Sequence, residues 1–169
     1  AFDMFQSLNA TGTPLTALET FKPVVVNDIN NLEKSYKGSE LEKNFNKIDR
    51  LMKNLSSSGK IKRTNEYLVL FSTTYGKEKL PRQFSIQRKW LIDTYQSLGD
   101  FNYRQNLIQS MGDVAIYCSE IVYSKVSIRD NLPGIYNIDP EEKQVASVCL
   151  QYLKDANHKI THTLLSLFY

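Results

Sequence analysis

Along most of the chain, apolar residues recur every three or four positions, a spacing that predicts amphipathic helices rather than strands. The clearest case follows Ser39-Glu40-Leu41-Glu42, a capping-box pattern in which the Ser hydroxyl and the Glu carboxylate each satisfy an orphan backbone N–H. Behind it come Leu41, Phe45, Ile48, Met52 and Leu55. Ser56-Ser57-Ser58-Gly59 then reads as a stop, leaving Lys60-Ile61-Lys62-Arg63 as a basic loop before an N-cap at Thr64. Tyr67 to Tyr75 suits either a buried helix or a strand, and its helical neighbours favour helix.

Further along, Ile86, Trp90, Leu91, Tyr95 and Leu98 form one stripe over Ser85 to Leu98, with Gly99 as the stop. Phe101 to Ser124 repeats the pattern more strongly through Leu107, Ile108, Met111, Val114, Ala115, Cys118, Ile121 and Val122, and is expected to be the central helix. Asp139-Pro140-Glu141-Glu142 places an N-cap, a first-turn proline and two carboxylates at a helix start. Val145, Val148, Cys149, Tyr152, Leu153 and Ala156 are its expected apolar face, and a last helix begins near Thr161. Before all of these, a short amphipathic stretch from Phe2 to Leu8 ends in the turn-forming cluster Asn9-Ala10-Thr11-Gly12-Thr13-Pro14. Thr16-Ala17-Leu18-Glu19 is a second capping box, whose helix is expected to end or kink at Pro23. No repeat of 20 to 50 residues appears, so the expected fold is all-α, an irregular helical bundle.

Composition narrows this picture. With 169 residues, 41% hydrophobic and 23% charged, the chain can form one core and is too apolar for a disordered tail. Its longest apolar runs, Pro23 to Val26 and Tyr67 to Phe71, fall far short of the roughly 20 residues a spanning helix needs. Without a signal-like N-terminus the chain reads as cytoplasmic, and Cys118 and Cys149 as reduced core thiols. The apolar ends, Ala1 to Phe5 and Leu164 to Tyr169, imply a missing partner surface in the same polypeptide or a neighbouring chain.

The segment Phe2 to Lys22, FDMFQSLNATGTPLTALETFK, resembles the F-x-x-L-N-x-T-G-x-P-L-T-x-x-D/E-x-x-K segment of the N-terminal nucleotidase family of GmrSD-type modification-dependent restriction enzymes, which have a ParB/sulfiredoxin-like fold. The resemblance implies that residues 1–26 end a ParB-like domain and 27–169 form the helical domain after it, a fragment of a larger α/β plus α protein. It also implies a parent that hydrolyses nucleotide and senses or cuts foreign DNA. In the family, nucleotide is handled by an upstream Asp-Gly-Gln-Gln-Arg motif, and many members carry a downstream HNH nuclease; neither motif occurs here. The nucleoside triphosphate and divalent metal belong to the parent, and the expected partners are the ParB-like domain, a C-terminal nuclease domain and DNA, with no membrane. Asn9, Thr11 and Gly12 are the nucleotide-binding candidates, because a glycine able to take positive φ and small polar side chains bring backbone close to phosphate or ribose. The same three residues also serve simply to end one helix and start the next. No catalytic residue is assigned.

Charge adds a second candidate. Lys34 to Lys89 holds 14 Lys or Arg against 5 Asp or Glu, a net of +9, while the rest of the chain carries −6. Lys43, Lys47 and Arg50 share one helix face, extended by Lys60, Lys62 and Arg63; together they are candidate DNA contacts, gaining affinity by counterion release. The plain alternative is a solvated helix face. Tyr36, Tyr67, Tyr75, Phe84 and Trp90, interleaved with these cations, are spaced as core residues rather than stacking platforms. His158 and His162 have the i, i+4 spacing of two zinc ligands, but no third ligand accompanies them and no metal is expected. The rival to a DNA role is a structural or interaction module without one.

Overall fold

A computed structural model describes residues 14–32, 34–125 and 139–166. Among them are seven α-helices and no strand: α1 (Ala17–Asn31), α2 (Glu40–Leu51), α3 (Ser57–Tyr75), α4 (Phe84–Ser97), α5 (Phe101–Tyr117), α6 (Pro140–Asp155) and α7 (Lys159–Leu165). A π-helical turn, Cys118–Val122, continues α5. The fold is the expected all-α bundle.

Local chemistry explains where these helices begin. The Glu19 N–H donates to the Thr16 hydroxyl at 3.2 Å and the Thr16 N–H to Glu19 Oε2 at 2.8 Å, closing the capping box of α1. At α2 only half the box forms: the Glu42 N–H donates to Ser39 Oγ, but the Glu42 carboxylate accepts from the Gly38 N–H at 2.7 Å. Gly38 sits at φ +81°, a conformation that carries little cost without a Cβ.

Two helix boundaries differ from expectation. α1 continues through Pro23 to Asn31. Pro23 lies on the exposed side, where water can satisfy the carbonyl it leaves free, while Phe21, Val25 and Ile29 stay buried on the other side. The stretch from Lys60 to Arg63 is not a loop but the first turns of α3. Ser56 caps that helix by accepting from the Gly59 N–H at 3.2 Å, so the serine and glycine cluster starts a helix instead of stopping one.

The centre of the bundle is α2 lying along α5, with the π turn touching α2, α1 against α4, and α7 against α3. α2 and α5 approach closely at Gly112, where a Cβ would stand 2.6 Å from Asn44 Oδ1. Phe21 packs its ring against Phe45 at 6.3 Å and edge-on to Tyr95 at 5.6 Å. Tyr67, fully buried, donates its hydroxyl to the Met111 carbonyl at 2.7 Å. Arg104 grips both Asp28 oxygens, at 2.9 and 3.0 Å, and Tyr95 donates to the same carboxylate at 2.8 Å, tying α5, α4 and α1 together.

Two buried faces also differ from expectation. α4 buries Gln87, Leu91 and Tyr95 while Ile86 is exposed, and the Gln87 Nε2 donates to the Asn65 carbonyl of α3 at 3.4 Å. α6 buries Ser147 and Leu150, leaving Val145 65% and Tyr152 72% exposed, with Val148 and Cys149 also outside. Cys149 is therefore a surface thiol, whereas Cys118 is a core residue whose thiol pKa burial pushes up to about 12. Among the described residues α6 has no extensive pairing with any one helix; Leu150 joins the core, and Lys154 Nζ donates to the Ser124 carbonyl at 2.5 Å. No helix among the described residues is long and apolar enough to cross a membrane.

Candidate basic groove

α2 is strongly amphipathic, so its cations all point outward, but their neighbours sort them into two groups. Lys43 Nζ lies 2.6 Å from Glu40, one turn earlier on the same helix. Lys47 Nζ lies 2.9 Å from Asp113 of α5, a half-exposed pair that helps hold the two helices together. On α3, the Arg63 guanidinium stacks over the Tyr123 ring at 3.4 Å, and Tyr123 donates its hydroxyl to Glu66. Burial, Cys118 and Glu66 all raise the pKa of Tyr123, so it stays a neutral donor. Lys47 and Arg63 are thus engaged within the protein, whereas Lys43 and Glu40 form an exposed pair in water. Lys62 is exposed on α3, outside the groove lining.

Arg50 and Lys60 have a different setting. Both line a groove of about 630 Å³ where α2 passes α1 and the first turn of α3. Lys53 lines it as well, three residues after Arg50 and just past the end of α2, and Lys22 reaches in from α1. None of Arg50, Lys53 and Lys60 has a carboxylate within ion-pair distance among the described residues. The groove's two carboxylates are already occupied: Glu19 closes the α1 capping box, and Asp49 accepts from Lys22 Nζ at 2.7 Å. Asn46 and Asn54 add amide groups to the lining, Asn54 in the left-handed region at φ 63°. Among the lining residues the aromatic one is Phe45, whose ring is 1% exposed beneath Lys22.

Of the six cations expected to form one DNA-contacting surface, the groove brings Arg50 and Lys60 together and leaves the other four outside it. Lys53 was legible as the next outward cation after Arg50, whereas Lys22 arrives only through the packing of α1 on α2. Asn9, Thr11 and Gly12 lie outside the described residues.

The histidines do not converge. His162 is buried, with Nδ1 2.8 Å from the Tyr117 hydroxyl, while His158 is exposed and paired with the Thr161 hydroxyl at 2.8 Å. Among the described residues, no group of three or more His, Cys, Asp or Glu side chains is placed to hold a metal ion. Compared with models of known protein families and with curated proteins, the chain matches none.

Proposed function

We propose that this chain is the helical domain of a restriction or phage-defence protein of the GmrSD type, and that it engages DNA by contacting phosphates in the groove between α1, α2 and α3. The observation that carries the DNA contact is the convergence of Arg50, Lys53 and Lys60 with no carboxylate partner among the described residues. Three cations converging in a concave site attract a polyanion and release its counterions on binding, which gives affinity without sequence readout. The family assignment rests on the resemblance of Phe2 to Lys22. In this reading nucleotide hydrolysis belongs to the parent's ParB-like domain, which the helical domain supports, and Asn9, Thr11 and Gly12 contribute to its nucleotide site.

The test is binding of fluorescently labelled DNA, single- and double-stranded, to the 169-residue chain over a salt series. Affinity that falls steeply with salt, and weakens when Arg50, Lys53 and Lys60 become Glu, supports the reading; no binding to either form at low salt sinks it.

A second reading, an interaction module without a nucleic-acid role, is favoured by the exposed apolar side chains Val145, Val148 and Tyr152 of α6 and Ile160 and Leu164 of α7. It predicts association with a neighbouring domain or subunit that Val148→Glu abolishes in sedimentation experiments, and no DNA binding at low salt.

A further inference from the structure

We propose that a second cavity, next to the basic groove, takes the base of a nucleotide. The proposal rests on the phosphate-binding reading above for the choice of a nucleotide, and adds to it a seat for the ring.

The cavity, of about 430 Å³, opens where the start of α1 meets α3 and the start of α4. That volume lies in the range of about 300–1,000 Å³ typical of small-molecule sites. Leu15, Ala17 and Ile61 make its apolar wall, Phe84 adds a ring, and Asn65 and Arg82 add polar groups. Thr16 lines both this cavity and the groove, and Lys60 of the groove is followed on α3 by Ile61 of the cavity. Cations lie on both sides of that shared wall, Lys60 in the groove and Arg82 in the cavity. A phosphate bound on either side leaves its sugar to carry the base into the cavity.

Three features select a planar, hydrogen-bonding ring with an anionic tail. The first is Phe84, spaced along the sequence as a core residue and yet 39% exposed. The other rings of α3 and α4 are paired: Tyr67 and Tyr75 stack on Phe71, Trp90 meets Phe71 edge-on, and Tyr95 meets Phe21. Phe84 has no such partner among the described residues, so its face is open to a ligand, and a base gains affinity by stacking there whatever its identity. The second is Asn65. Its backbone carbonyl accepts from Gln87, but its side-chain amide has no hydrogen-bond partner among the described residues. An amide offers donors and an acceptor together, the combination a base edge presents. The third is Arg82, exposed and with no carboxylate within ion-pair distance among the described residues. An aliphatic ligand would use the wall but neither the ring face, the amide nor the guanidinium. The groove beyond Thr16 favours phosphate over carboxylate as the anionic group, since its cations suit a run of phosphates.

The same chemistry is offered by a free nucleotide and by an unpaired nucleotide of DNA, and the experiment separates them. The probe is 2-aminopurine, a fluorescent base whose emission drops when it stacks on a ring. The whole 169-residue chain receives it as the free deoxynucleoside monophosphate and, separately, as one central base of an oligothymidine strand. The expected result is quenching at saturation. Quenching of the free form identifies a free nucleotide as ligand, and quenching confined to the strand identifies a nucleotide of DNA. Phe84→Ala should remove the quenching, and Phe84→Ala and Arg82→Ala should each weaken binding about fivefold. Phe84→Tyr should keep both quenching and affinity. No quenching of either form, while anisotropy shows the strand bound with a dependence on Lys53, overturns the proposal and leaves the phosphate-binding reading standing. Quenching that survives Phe84→Ala overturns the assignment to this cavity. Neither quenching nor strand binding removes both. Phe84 lies outside the core, so its substitution leaves the fold intact, and an unchanged circular dichroism spectrum checks this.

Discussion

α2 and α6 have the same kind of sequence pattern and opposite fates. In each, apolar residues recur at three- and four-residue intervals behind a well-formed N-terminal signal. In α2 that stripe is the one buried, with Leu41, Phe45 and Ile48 against α5, and the Lys47–Asp113 ion pair is added at the rim. In α6 the expected stripe of Val145, Val148 and Tyr152 faces outward, and among the described residues its anchors include buried Leu150 and the Lys154 hydrogen bond to the Ser124 carbonyl. Periodicity marks which residues of a helix share a face, but the neighbouring elements decide which face is covered. An isolated helix of this length is marginal in water, and α6, with fewer buried side chains among the described residues than α2, should open more readily.

Substitutions should separate the two regions. The largest effect is expected from Ile108→Ala, which empties a fully buried site in the α2–α5 layer: about 3 kcal/mol lost, measured by urea unfolding. Gly112→Ala should cost about 2 kcal/mol, because the new methyl meets Asn44 on the facing helix. Asn44→Ala in the same chain should recover part of that loss, and no recovery would mean the strain lies elsewhere. Leu150→Ala should cost about 1.5 kcal/mol, less than its volume implies, since a sparsely packed helix can settle into the space. A loss equal to that at Ile108 would erase the contrast.

A smaller, local effect is expected from pH. Burial first, then Lys154 and His158, lowers the pKa of His162 below its ordinary 6.5. The neutral form is therefore the one the folded state favours. Its contribution is complete above pH 6.5 and is lost as the pH falls from there through the lowered folded value. The hydrogen-exchange protection factors of α7, corrected for the intrinsic pH dependence of amide exchange, should fall over that window while those of α2 hold, and His162→Gln should flatten the response. The smallest effect is expected at Tyr152→Ser, within about 0.5 kcal/mol for the isolated chain, because its ring is mostly in water.

Local signals were legible and distant ones were not. The capping residues Thr16 and Ser39 and the buried stripe of α2 act within one helix, so the sequence pattern carries them. Ser56 to Gly59 carried two meanings, stop and cap, and only the packing of Thr64, Leu68 and Phe71 behind it makes the cap win. The charged face was legible as a set of cations. Which of them stay unpaired was not, because Asp113 lies 66 residues from Lys47 and the Tyr123 ring comes from beyond α5. The groove itself exists only once α1 crosses α2.

The π turn at Cys118–Val122 sets the rotational phase of the residues after it. Such a turn holds about one residue more than an α-helical turn, and each residue of an α-helix advances the chain by about 100°. Deleting one residue there would restore regular winding and swing Tyr123 about the axis by that angle, away from Arg63 and Glu66. The chain thus tolerates a length change less easily at this position than in a surface turn: a single-codon deletion would act as a rotation, detaching the end of the central helix from α3.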